Sequence, residues 1–311
     1  MKAKTERSAS PSGIHFYNLF QCCPRKGYIR FGPPRLEPLF IPTPLLLGSA
    51  FHAGKAVFYR SQKERSALAT VRDELKARKA EFESTEEYLF ALERAPAMLA
   101  SWIAEFGASD LKTLNIIDVE RSIRIPFPGK PSWHFTARID MIAEDRFENL
   151  LVFETKSTSW SLYNTLQAVA LGDQVTAYMW GASRHYKRRV TAVVPDITCW
   201  AKNSQRPEGI KNSRGDFVYR DDSDFEFFSH STLQQASEIS QKMRHVYAGG
   251  DPAVFPRNPY YCTAYGRACE FAEICRTNLT AKSRPAGFRK RPGKFATKET
   301  FEVVEDLLAG A

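Results

Sequence analysis

From about residue 115 the apolar pattern of the chain changes from helical to strand-like, and this change limits the folds available to it. Three β-rich runs follow one another, NIIDVERSIRIPF, SWHFTARIDMIAED and NLLVFETKST, separated by the turn-forming breaks PGKP and DRFEN. The third opens with Leu150-Leu-Val-Phe153, apolar on both faces, which reads as a covered central strand rather than an edge. A helix is expected from about Tyr163 to Tyr186, then a strand in KRRVTAVVPDITCW. Strand, helix and returning strand require stacked layers, so the fold class is α/β with a mixed central sheet flanked by helices.

The flanking segments are mostly helical. Residues 14–30 read as a short helix that runs into Cys22-Cys23-Pro24, and residues 31–44 carry five prolines and read as an extended loop. A helix begins near Gly48 and carries His52. Residues 61–83 are charged and helical in composition, and Ser84-Thr-Glu-Glu87 is a capping-box pattern opening a helix with Leu89, Leu92 and Met98. Residues of about 55–110 therefore read as a helical insertion. Residues 203–224 look like a polar loop, and Ser231 to Ala248 an amphipathic helix stopped by Gly249-Gly250. The first 13 residues are basic and Ser-rich without the apolar middle of a signal peptide. Residues 281–294 hold six Lys or Arg and no acid. Both ends, 1–13 and 281–311, are expected as disordered tails around a domain spanning 14–280.

The longest near-apolar stretch falls short of the roughly 18 residues a membrane helix needs, which suggests an intracellular, cytoplasmic protein. A net charge of +9 favours a polyanionic partner such as DNA, because neutralising phosphates releases condensed counterions. The G-x-x-x-x-G-K-[ST] pattern of P-loop motors is absent, so the chain would act on existing ends or flaps, or serve a separate helicase or recombination partner.

The chemistry-bearing residues gather on the strand-like segment. Asp140 closes the second run and Glu154-Thr155-Lys156 closes the third; in a hairpin of adjacent strands these ends can meet. Glu154 and Lys156, two apart, leave the same face of a strand. Two convergent carboxylates suit Mg²⁺ or Mn²⁺, which can polarise a phosphate oxygen and acidify water, with an ammonium nearby to stabilise developing charge. E-x-K on a strand is commonly a solvated face. The apolar strand that precedes it argues otherwise, since charges at the end of a buried strand need compensation. Gln174 and Tyr178 lie four apart on one helix face, and His52, four residues after Gly48, can offer a neutral ring nitrogen to a metal.

Taken in order, Gly48-x-x-x-His52, Arg138-Ile139-Asp140, Glu154-Thr155-Lys156 and Gln174-x-x-x-Tyr178 resemble the motifs of the RecB-like branch of the PD-(D/E)XK nuclease superfamily. The resemblance implies a restriction-endonuclease-like core. It further implies a metal held by His52, Asp140, Glu154 and the Thr155 carbonyl, with Lys156 as catalytic lysine and Gln174 and Tyr178 against DNA. Ala137 or Arg138 stands where that family often has Gly before the Asp, and no Gly follows Lys156; neither change removes a ligand.

Six cysteines in an intracellular-looking chain suggest metal ligation rather than disulfides. Cys262-x6-Cys269-x5-Cys275, with Cys23 followed by Pro24, is similar to the iron–sulfur staple of some RecB-like nucleases, including the AddB type and the CRISPR-adaptation nucleases. That likeness implies a [4Fe–4S] cluster, with Zn²⁺ as the alternative, tying the N- and C-terminal segments together. Cys22 is the alternative fourth ligand, and the wider first spacing departs from the usual one. Cys199 reads as an inert strand residue. The expected function is a metal-dependent deoxyribonuclease, an exonuclease by preference, in recombination, repair, phage DNA processing or CRISPR adaptation. The competing reading is a non-catalytic DNA-binding protein with a structural Fe–S or zinc cluster.

Overall fold

The computed structural model describes residues 13–200, 209–264 and 268–291. Helices α1 (Ile14–Cys22), α2 (Pro24–Phe31), α3 (Thr43–Ser61), α4 (Glu64–Ala77), α5 (Thr85–Trp102) and α6 (Ala108–Thr113) precede the sheet, with strand β1 (Leu36–Pro38) between α2 and α3. Then come β2 (Asn115–Phe127), β3 (Lys130–Glu144) and β4 (Leu150–Thr158), followed by α7 (Leu162–Leu171), α8 (Asp173–Tyr186), β5 (Val190–Trp200), β6 (Ile210–Arg214), α9 (Asp222–Tyr247) and β7 (Phe288–Lys290).

The chain divides into two compact units. One holds Phe40–Ile123 and Ala137–Phe225; the other is formed by the chain up to Leu39, Arg124–Thr136 and the chain from Glu226 on.

The larger unit is organised by a five-stranded sheet in the order β2-β3-β4-β5-β6. β3 and β4 pair antiparallel, β4 and β5 parallel, and β5 and β6 antiparallel, so the sheet is mixed. A parallel neighbour requires a crossover, and α7 and α8 supply it. The reading of Leu150–Phe153 as a covered strand holds: these residues and the next two are buried. The β3–β4 turn forms where Asp145 Oδ1 accepts from the backbone N–H of Phe147 (2.8 Å) and Asn149 (2.9 Å), an Asx turn that reverses the chain. Against the sheet pack α3, α4 and α5, whose core includes Leu47, Phe51, Leu99 and Trp102, all essentially inaccessible to water. The helices approach closely at Gly54, where a Cβ would lie 2.5 Å from both Leu99 Cδ2 and Val71 Cγ2.

The smaller unit is built on aromatic contacts. Phe16 meets Phe20 and Phe31 with ring centroids 4.9 Å apart, Phe20 and Tyr28 both meet Phe255, and Phe135 meets Tyr17 and Phe228. Here β1 and β7 pair antiparallel.

Several sequence expectations need correction. The helix expected from Tyr163 to Tyr186 is two helices broken at Gly172, whose backbone is extended. The polar loop of 203–224 contains β6, because the unpaired edge of β5 recruits residues 210–214 despite their polar composition; residues 201–208 lie outside the described residues. Helix α9 starts nine residues before the expected Ser231, since Asp221 Oδ1 accepts from the Asp224 N–H (2.9 Å) and caps it. The C-terminal tail was set too early: Phe288–Lys290 forms β7, where Glu37 on β1 draws in Arg289 (2.7 Å) and Arg291 (3.7 Å). The expected tails at 1–12 and 292–311 lie outside the described residues. Ser84 caps α5 as expected, its hydroxyl accepting from the Glu87 N–H at 3.1 Å. Among the described residues no helix is long and apolar enough to cross a membrane.

Candidate active site

The site assembles where the β3–β4 ladder ends. Met141 pairs with Phe153 at its last rung, so Asp140 and Glu154 fall one step beyond it. Asp140 therefore does not close β3 as the sequence suggested, since the strand runs on to Glu144. It sits where the two strands part, and its Oδ2 accepts from the Thr155 N–H at 2.9 Å, replacing a rung with a carboxylate contact.

Helix α3 brings His52 to this point. Gly48, one turn earlier, leaves the strand room: a Cβ there would come within 3.0 Å of Ser157 Oγ. His52 Nδ1 lies 3.2 Å from Asp140 Oδ1 and 3.3 Å from Glu120 Oε1. Glu120 was not singled out from the sequence. It belongs to β2, yet its φ is +53°, a left-handed conformation rare for a side chain other than glycine. Glu120 also binds Arg138 Nε at 2.9 Å. Among the described residues, His52, Glu120 and Asp140 form the one group of three such donors whose ligand atoms all lie within 4.8 Å of one another.

Glu154 lies deeper, 1 % exposed. Lys156 makes ion-pair contact with its Oε1, yet neither carboxylate oxygen has a hydrogen-bond partner among the described residues. A buried carboxylate normally collects donors, and this one has Lys156 alone, so its Oε2 is open to a cation. Lys156 Nζ is held by Gln174 Oε1 (2.9 Å), and Gln174 Nε2 in turn donates to the Tyr178 hydroxyl (2.9 Å). Gln174 and Tyr178, expected against DNA, are thus engaged on the protein side, and Tyr178 is buried.

The electrostatics are those of a negative pocket. Burial pushes the Glu154 carboxyl up to about 7, with Lys156 opposing and Asp140 adding to the rise. Burial also works against charge on Asp140, but His52 and Lys156 outweigh it and hold Asp140 down at about 2. For His52 burial favours the neutral ring, and Asp140 and Glu120 overcome it, pushing the imidazole up to about 10. The proton on Nδ1 occupies the place a divalent ion would take, because metal ligation requires the deprotonated ring. Burial works against the Lys156 charge too, while Glu154 and Asp140 hold its ammonium above the ordinary range.

The predicted cysteine set lies wholly in the smaller unit. Cys23 is buried at the junction of α1 and α2, and its charge raises both Cys269 and Cys275, after burial; Cys262 adds to the rise at Cys275. Cys22 does not figure in these interactions. The Cys269 N–H donates to the Cys262 carbonyl at 2.7 Å, and Arg25 donates to the carbonyls of Cys275 (3.3 Å) and Thr277 (2.9 Å). Cys199 sits apart on β5, its thiol against the Trp160 carbonyl.

A sequence search among curated proteins returns no match. Among the solved structures that the chain resembles weakly are the following. An alkaline exonuclease, LHK-Exo, from Laribacter hongkongensis is 13 % identical, covers 60 % of this chain and 84 % of its own, and superposes with a TM-score of 0.29. LHK-Exo in complex with dAMP gives 13 %, 65 %, 94 % and 0.30, and SSO0001 gives 16 %, 78 %, 89 % and 0.26. Superpositions this loose add nothing to the argument. The family comparison does: the profile of the PD-(D/E)XK nuclease superfamily matches residues 9–276, most of the chain and every residue of the site. The chain belongs to the PD-(D/E)XK nuclease superfamily.

Proposed function

We propose that this chain is a divalent-metal-dependent deoxyribonuclease that hydrolyses phosphodiester bonds, acting as an exonuclease. The observation that carries the reading is the Glu154 carboxylate, buried beside Asp140 with Lys156 on one oxygen and no partner on the other. Asp140, Glu154, His52 and the Thr155 carbonyl would hold Mg²⁺ or Mn²⁺, with Glu120 as a further carboxylate within reach of His52 and Asp140. When bound, such an ion polarises a phosphate oxygen and acidifies a coordinated water. Lys156 is placed to orient the attacking water and to stabilise charge growing on the phosphate. Gln174 and Tyr178 act on this reading as a brace for Lys156, so their expected contact with DNA is the secondary role. The basic balance of the chain supplies the counter-charge for DNA, on ends or flaps presented in recombination, repair, phage DNA processing or CRISPR adaptation, alone or with a helicase partner.

The test is cleavage of end-labelled single- and double-stranded DNA with Mg²⁺ or Mn²⁺. Release of mononucleotides from an end supports the exonuclease; internal cuts would correct that mode. Cleavage that survives both Asp140→Ala and Lys156→Ala would overturn the site.

A second metal centre belongs to the same reading. Cys23, Cys262, Cys269 and Cys275 would hold a [4Fe–4S] cluster, with Zn²⁺ as the alternative, the support being that all four lie in one compact unit and that the Cys269 N–H donates to the Cys262 carbonyl. Anaerobically purified protein should then be brown, with iron and sulfide in equal amounts. A colourless protein with one zinc per chain would reassign the centre.

A further inference from the structure

One helical turn beyond His52, α3 carries a second ionic group that the proposed reaction does not use. Lys55 is 5 % exposed, set in the apolar run Ala50-Phe-His-Ala-Gly-Lys-Ala-Val-Phe58. Its ammonium donates to Asp196 Oδ2 on β5 at 2.6 Å and to Thr155 Oγ1 on β4 at 2.8 Å, and stands 4.1 Å over the Trp102 ring of α5. Asp196 is 1 % exposed in the otherwise apolar centre of β5. The Trp102 indole N–H donates to both of its oxygens (3.0 and 3.1 Å), and Arg214 on β6 stands 3.7 Å away. Arg214 is itself clamped by Asp110 through two 2.6 Å hydrogen bonds, and the Tyr59 hydroxyl completes the set on Asp110 Oδ2 at 2.6 Å.

Such a cluster is a poor way to gain stability. Desolvating these charges offsets most of their attraction, and a matched apolar replacement is often as stable or more so. What the cluster does supply is fixed geometry. Thr155 stands between Glu154 and Lys156, and its N–H holds Asp140. One ammonium therefore ties the helix bearing His52 to the strand residue that organises the other site groups. A cation centre needs donors held within a few tenths of an ångström, which is the service of the groups behind its ligands.

We infer that Lys55, anchored by Asp196 and Trp102, is a positioning residue of the nuclease centre, setting the distance between His52 on α3 and the point where Asp140 of β3 meets Glu154 and Thr155 of β4. The inference rests on the nuclease reading and deepens it. Lys55 touches none of the reacting atoms; it acts through Thr155 and through the placement of α3.

Two variants test it. Thr155→Val keeps the backbone carbonyl and the Lys55–Asp196 pair but removes the bond from Lys55 to the catalytic strand. Lys55→Met with Asp196→Asn removes the ion pair without leaving a lone buried charge, and asparagine still accepts from Trp102. For both, Mn²⁺ affinity is read by calorimetry and cleavage is resolved into kcat and KM for DNA. The expected result is a loss of about tenfold in Mn²⁺ affinity and in kcat, with KM and the melting temperature close to wild type, and recovery of most of the loss in Lys55→Arg. Because Thr155→Val changes volume little, it keeps the test open should the double variant fold poorly. Wild-type kcat and Mn²⁺ affinity in Thr155→Val would overturn the inference while leaving the nuclease reading intact. A wild-type protein that neither binds Mn²⁺ nor cuts DNA would overturn both.

Discussion

His52 and Lys55 lie one turn apart on α3, and both face acidic groups of the same sheet, but the two neighbourhoods differ in how completely their charges are matched. Around Lys55 each carboxylate oxygen of Asp196 and Asp110 has a donor at hydrogen-bond distance. Around His52 the carboxylates of Glu120 and Asp140 converge, and the neighbouring Glu154 has only Lys156, on Oε1, with no donor to Oε2 among the described residues. A saturated cluster behaves as a fastening. An unsaturated one of the same residue types is held ready for something to enter, and an open carboxylate oxygen is a donor atom for a hard cation. Neither composition nor burial separates the two; the count of satisfied oxygens does.

The largest effect tests the chemical side of this contrast. Lys156→Ala should lower kcat roughly 10²- to 10³-fold, the usual loss when a donor to developing charge is removed. Single-turnover cleavage with folding checked by circular dichroism measures it, and a loss below tenfold would remove Lys156 from the chemistry.

Next comes the fastening. Lys55→Met alone leaves Asp196 buried with its strongest partner gone and should destabilise by about 3–5 kcal/mol in chemical denaturation. Adding Asp196→Asn should return most of that, and a double variant as unstable as the single would show that packing rather than charge is at stake.

Glu154→Gln should do the reverse, raising the melting temperature of the metal-free protein at pH 8 by the equivalent of about 1–3 kcal/mol, because burial disfavours the Glu154 charge by more than Lys156 offsets, and it should abolish stabilisation by Mn²⁺. The pH dependence gives the sign. Glu154 binds its proton more tightly folded (about 7) than its ordinary 4.5. Its contribution to stability is therefore full below 4.5 and is lost as the pH rises to about 7. His52, ordinarily 6.5 and raised to about 10, holds its contribution below 6.5 and loses it as the pH rises through 10, in both proteins. Wild type should thus fall relative to the variant between pH 4.5 and 7, and parallel profiles in that window would contradict the burial-raised state of Glu154.

The smallest effect is on the rim. Arg138 is partly exposed, so Arg138→Gln should change stability by no more than about 1 kcal/mol despite its pair with Glu120.

Much of the site could be read before any fold was known. The runs around Asp140 and Glu154-Thr-Lys156 give strands at nearly their observed bounds, because alternation and a doubly apolar stretch are local properties of sequence. Glu120 escaped notice because Asp-Val-Glu-Arg within an alternating strand looks like a solvated face, and nothing local announces the left-handed backbone that turns it inward. Lys55 and Asp196 did leave a trace, each a single charge inside an apolar run. The β6 strand left none, since Lys-Asn-Ser-Arg becomes a strand through its partner on β5.

By itself the sequence determined the succession of β2, β3 and β4, the doubly covered strand and the candidacy of His52, Asp140, Glu154 and Lys156, all of which follow from periodicity and residue chemistry along the chain. The tertiary structure alone decided which charges are matched: that Lys55 finds Asp196 and Thr155, that Glu120 joins His52, and that Glu154 keeps one oxygen open. The reason is physical, for whether a charge is satisfied depends on donors that strand pairing and helix packing bring from 40 to 140 residues away, and no local pattern encodes that distance.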